Sequence, residues 1–173
     1  YKPGTDKIYL SGGPFDVETI VHELGHAMDA KGPLGNLYQS LSNKKYQKIF
    51  NQEMDSYVKK GNIRCTARYD ENDNYIVSNN TKGEKYATVD GLEMFAECYT
   101  YIILGQCNSD KVILKHFPQT LQCVREMVEE TRKEGNLARK GTAKPYPTQW
   151  KPNWQNNKPW EIKMLNKYKN YKH

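Results

Sequence analysis

Long apolar runs are missing from this 173-residue sequence. The longest is Tyr101-Ile102-Ile103-Leu104, far short of the roughly 18–20 residues that a bilayer-spanning helix needs. No membrane span is therefore expected. Cysteine is scarce and unpatterned: Cys65, Cys98, Cys107 and Cys123 contain no C-x-x-C pair and are too few to build a disulfide scaffold. Their even number allows two bridges, with Cys107 to Cys123 across a helix-helix turn as the first pairing to consider. Four buried thiols are the other expectation. The sequence also lacks a glycine-rich phosphate loop, a serine-nucleophile elbow and a cysteine-nucleophile signature. A starting methionine and a signal-peptide pattern are absent, so Tyr1 is expected to open a processed or excised chain.

Acidic residues are nearly absent from the C-terminal end. Residues 139–173 hold nine lysines and arginines against a single acid, Glu161, a net charge of +8. The remaining 17 basic and 19 acidic residues give residues 1–138 a net charge of −2. The overall +6 is thus a property of the tail, where Lys144-Pro145-Tyr146-Pro147, Trp150-Lys151-Pro152 and Lys158-Pro159-Trp160 interleave lysine, proline and aromatic rings. Such a stretch is expected to be extended, with a short helix around residues 161–170. The composition elsewhere, 37% hydrophobic and 27% charged over the whole chain, fits one globular domain with a modest core.

Periodicity places the elements. Residues 7–10 read as a short strand. Asp16 can cap a helix to about Lys31, with Gly32 as its stop and Val17, Ile20, Val21, Leu24, Ala27 and Met28 as the inward face. Ser42 can cap a second helix to about Lys60, burying Tyr46, Ile49, Phe50, Met54, Tyr57 and Val58. Segments 63–69 and 75–78 flank a polar turn and predict a hairpin. Asp90 caps a third helix ending near Gly105, Asp110 starts a short one, and Pro118 opens a last helix to about Lys133.

The first of these helices contains His22-Glu23-Leu24-Gly25-His26, an H-E-x-x-H sequence. Two histidines four residues apart share one helical face, so both imidazoles can reach a single Zn²⁺ ion. Glu23 between them can take a proton from water on that ion. The longer H-E-x-x-H-x-x-G-x-x-H form is excluded, because positions 29 and 32 are Asp29 and Gly32. A third ligand must come from elsewhere. Asp29 suits a place outside the ligand set, Glu53 flanks a buried stripe and reads as a surface residue, and His116, just before Pro118, reads as structural. Glu93 and Glu97 lie on one face of an otherwise apolar helix, where carboxylates need a partner that a metal and its histidines can supply.

These residues carry a resemblance. Ile20-Val21-His22-Glu23-Leu24-Gly25-His26-Ala27-Met28-Asp29 resembles the zinc helix of the lethal factor-like metalloproteases, which include the secreted Pro-Pro endopeptidases. Tyr86, then Glu93 seven residues on, then Phe95-Ala96-Glu97 resemble that family's tyrosine, ligand glutamate and F-A-E sequence. Asn108-Ser109-Asp110 and Phe117-Pro118-Gln119-Thr120 are similar to its final helices, and the likeness covers roughly residues 16–133. It implies His22, His26 and Glu93 as ligands of one Zn²⁺, Glu23 as general base and Tyr86 as donor to the oxyanion. Glu97 would accept from the free ring N–H of a ligand histidine. The chain departs from the family in three places. About fifteen residues precede the zinc helix where the family has several strands, residues 62–82 form a longer loop, and the basic tail has no counterpart.

The resulting expectation is a mostly helical α+β, zincin-like metalloprotease domain over residues 1–138, with upstream strands either pared away or outside this sequence. A basic Pro/Trp/Lys-rich extension occupies residues 139–173. The expected function is a secreted zinc endopeptidase acting on a protein or peptide substrate. The alternative is a module that binds an anionic polymer (cell wall, glycan or nucleic acid) through the tail, lysines meeting phosphates while rings stack. Nucleic acid is the weaker partner, because every catalytic motif lies in the slightly acidic body.

Overall fold

The structure, a computed structural model, describes residues 16–30 and 38–139, with side chains as far as residue 133. The expected strand at residues 7–10, the stop at Gly32 and the Pro/Trp/Lys-rich segment lie outside the described residues. The chain divides into two compact units, residues 1–133 and 134–173. The described residues of the first are mostly helical, with one two-stranded antiparallel sheet among them. Among the described residues no helix is long and apolar enough to cross a membrane.

Helix α1 spans Val17–Asp29, its first turn closed by the Asp16 carboxylate, which accepts from the Thr19 amide at 2.7 Å. Its inward face matches the expected apolar one only in part, through Val21 and the partly buried Met28. Val21, Gly25 and Asp29 are buried, whereas Val17, Ile20 and Leu24 are exposed. The cause is the neighbouring helix: a Cβ on Gly25 would lie 2.9 Å from Ala96 Cα, so the glycine face is where the second backbone can approach.

A single turn, α2 (Gln39–Ser42), leads into α3 (Lys44–Lys59). The cap of α3 is Asn43, whose side chain accepts from the Tyr46 amide, and not Ser42, which closes α2 by donating to the Tyr38 carbonyl. Tyr46, Phe50, Met54 and Tyr57 are buried as periodicity predicts, while Val58 is exposed. Glu53 corrects the surface assignment. It is buried, and its carboxylate accepts from the amides of Gln119 and Thr120 and from the Thr120 hydroxyl. Those are orphan donors at the start of α6, which a helix must satisfy from outside itself.

Strands β1 (Thr66–Tyr69) and β2 (Tyr75–Ser78) form the expected hairpin, with Thr66 opposite Ser78 and Tyr69 opposite Tyr75. Asp70 organises the turn, accepting from the amides of Asn72 and Asn74. A 3₁₀ turn, Tyr86–Thr88, then precedes α4 (Gly91–Leu104), which Asp90 caps through the amides of Leu92 and Glu93. Gly105 ends α4 with φ 76°, a left-handed value that glycine adopts without strain. Helix α5 spans Asp110–His116, and α6 spans Pro118–Arg139, outrunning the expected end at Lys133.

The core lies between α3, α4, α5 and α6. Tyr46, Met94, Phe95, Ile113, Phe117, Val124 and Val128 are all but fully buried, with Tyr46 meeting Phe95 edge-on and lying parallel to Phe50. The Tyr46 hydroxyl donates to the Gly91 carbonyl at 2.6 Å, so its burial leaves no polar group unpaired. All four cysteines are buried free thiols, and the bridge from Cys107 to Cys123 is not formed.

Candidate metal centre

Helices α1 and α4 face each other where α1 carries His22 and His26 and α4 carries Glu93 and Glu97. The four-residue spacing on each helix presents each pair on one side. Glu93 Oε2 lies 3.1 Å from His22 Nε2 and 3.5 Å from His26 Nε2. The two imidazoles stand edge to face, ring centroids 4.8 Å apart. Among the described residues, His22, His26 and Glu93 are the one group of three side chains placed to hold a metal ion, their ligand atoms lying within 4.8 Å of one another.

The donor set suits zinc. Nitrogen and oxygen ligands about 2.0–2.2 Å from a tetrahedral ion stand roughly 3.3 Å from each other, and the two histidine-to-Glu93 distances bracket that value. Glu97 meets the other side of His22, its Oε1 lying 3.2 Å from Nδ1. A histidine ring held at Nδ1 presents Nε2 outward as the ligand atom. Glu97 in turn accepts from the Ser109 amide at 3.3 Å, and burial and then the Glu97 charge push up the pKa of the Cys107 thiol.

The electrostatics follow from these contacts. Burial alone would lower the pKa of His22, but its bonds to Glu93 and Glu97 raise it to about 9. Burial would raise Glu93; the two histidines instead bring it down to about 2. Without a metal, His22 is thus held protonated against Glu93 and Glu97.

Tyr86, on the 3₁₀ turn, completes the group. Its ring centroid is 5.7 Å from that of His22. Burial, and then the Glu93 charge, hold the Tyr86 phenol well above the usual tyrosine range, so it stays protonated. The turn that carries it is fixed by Ser109, a fully buried residue whose hydroxyl accepts from the Ala87 amide and donates to the Gly83 carbonyl.

Glu23 follows His22 on α1 and is half-buried. Asp29 stays outside the ligand group as expected: it is fully buried and accepts from the Ser40 amide and hydroxyl. Desolvation raises its pKa to about 6 despite those bonds. His116 stands edge-on to Tyr57 and is not part of the cluster. The sequence marks Ser109 only as part of the Asn108-Ser109-Asp110 resemblance, and nothing in it announces the bonds that Ser109 makes to the site.

No protein-family model, curated protein or solved structure matches this chain.

Proposed function

We propose that the chain is a zinc-dependent endopeptidase with a zincin-like arrangement, hydrolysing a protein or peptide substrate. The observation that carries this is the meeting of His22 and His26 with a carboxylate 71 positions away from His22, Glu93, whose Oε2 lies close to both histidine Nε2 atoms. Two imidazoles and a carboxylate leave a fourth position open, the arrangement of catalytic rather than structural zinc sites. When bound there, zinc supplies Lewis acidity for the scissile carbonyl and a lowered pKa for water.

The chain's own residues supply the rest. Glu23 accepts a proton from the attacking water and delivers it to the nitrogen of the leaving amine as the C–N bond breaks. Tyr86 donates a hydrogen bond to the carbonyl oxygen as negative charge develops there, which favours the transition state over the ground state. Glu97 fixes the orientation of His22 through Nδ1.

Replacing Glu23→Gln keeps the size of the side chain and removes the base. The variant is expected to bind one zinc per chain by elemental analysis while cleavage of a peptide library falls by about 10²–10⁴-fold. Cleavage at the wild-type rate would overturn the reading.

A further inference from the structure

We infer that Arg64 is a positioning residue for Tyr86: from the root of the β1–β2 hairpin it clamps the 3₁₀ turn that carries the phenol. This rests on the endopeptidase reading of the same site. Arg64 donates from Nε to the Thr88 carbonyl at 2.9 Å and from Nη2 to the Val89 carbonyl at 2.7 Å. Its neighbour Cys65 donates its amide to the Thr88 hydroxyl at 2.9 Å, and that hydroxyl donates to the Lys85 carbonyl. The hairpin closes on the same residue, since Asn79, immediately after β2, donates to the Arg64 carbonyl at 3.4 Å.

The backbone of Tyr86 goes where its turn goes. Its amide donates to the Gly83 carbonyl, and its own carbonyl accepts from the Val89 amide. Ser109 holds one side of that turn, at Gly83 and Ala87, and Arg64 holds its far end. Thr88 is fully buried and Val89 nearly so, and backbone carbonyls in such places need a donor. A guanidinium is a planar fork of donors that keeps its charge, so it can meet two successive carbonyls, which a single ammonium does less well. A phenol hydroxyl sits at the end of a long rigid side chain. A small tilt of the turn is therefore magnified at the atom that must meet the developing charge. Both side-chain bonds of Arg64 go to the turn, so it acts through Tyr86.

The test is Arg64→Met, which keeps the apolar stem and deletes both donors, beside Arg64→Lys, which keeps the charge and loses the fork. Arg64 is exposed, so water can reach the freed carbonyls and both variants are expected to fold. With a quenched-fluorescence peptide taken from library cleavage, kcat is expected to fall about tenfold in Arg64→Met and about threefold in Arg64→Lys, with KM and zinc content unchanged. In a Tyr86→Phe background neither change should lower kcat further, a coupling that a general loss of stability would not produce. A second readout does not involve turnover. By amide hydrogen exchange of the full chain, Thr88 and Val89 are expected to exchange about tenfold faster in Arg64→Met, while the amides of α3 keep their rates. Unchanged exchange at Thr88 and Val89, an unchanged kcat, or an equal fall with and without the Tyr86 hydroxyl overturns the positioning role. Faster exchange in Arg64→Met, where the wild-type chain cleaves no peptide, supports the hold on the turn and retires the endopeptidase reading.

Discussion

His22 makes a different bond at each ring nitrogen, Nε2 to Glu93 and Nδ1 to Glu97, and this gives the metal-free protein a defined pH response. Its folded pKa, about 9, lies above the ordinary 6.5. The pairing therefore stabilises the fold fully below pH 6.5 and is lost as pH rises through 9. Glu93, brought down to about 2 from 4.5, sees the same contact from the acid side: its contribution is full above pH 4.5 and lost as pH falls through 2. Both ends describe one interaction, which is complete between pH 4.5 and 6.5. Urea unfolding of metal-free protein should show stability falling between pH 6.5 and 9 by an amount on the order of 3 kcal/mol, and His22→Gln should flatten that decline. Much of this was legible in the sequence. H-E-x-x-H and the four-residue spacing of Glu93 and Glu97 mark the participants, but which nitrogen meets which carboxylate depends on the approach of two helices and is not written in either motif.

At the level of elements, the approach of α1 to α4 turns on Gly25. Alanine there would gain about 1 kcal/mol of helix propensity, but its Cβ would press on the Ala96 backbone at 2.9 Å, which no side-chain rotation relieves. The clash wins. Gly25→Ala is expected to destabilise the protein by about 1–3 kcal/mol in urea unfolding and to weaken zinc binding about tenfold in competition with a chelator, because α1 carries both histidines. Unchanged zinc affinity would mean that the helix separation does not set the ligand geometry. The same glycine explains where periodicity misled. A helical repeat of apolar residues marks Val17, Ile20 and Leu24 as inward along with Val21 and Met28, yet only the last two face the core, beside the smallest residue and the buried Asp29. Hydrophobicity located the helices; steric access chose the face. The burial of Glu53 was illegible for a related reason, since a carboxylate on α3 acquires its role only when the start of α6 is folded against it.

For the molecule as a whole, His22 and Glu93 stand 71 residues apart, and an ion held between them closes a loop that contains α2, α3 and the hairpin. Binding to the folded state alone adds about 2.7 kcal/mol at a free zinc concentration of 100 Kd. The melting temperature is therefore expected to rise by roughly 10 °C on zinc saturation and to return on chelation, as read by scanning calorimetry. A Glu93→Ala variant should lose the rise, and a rise that survives would place the zinc elsewhere. The architecture at this scale was only partly legible. A mostly helical body with one hairpin follows from periodicity and turn chemistry, and the split of charge places the +8 segment outside the residues that carry the site.

Ser109 links the halves of that site. Its amide is committed to Glu97, which orients His22, and its hydroxyl to the turn that carries Tyr86. Ligand and phenol are thus registered against one alignment pin, a residue that performs no chemistry. Error in placing one is shared by the other, so thermal jitter moves them together and their relative spacing is preserved even where their absolute positions are not.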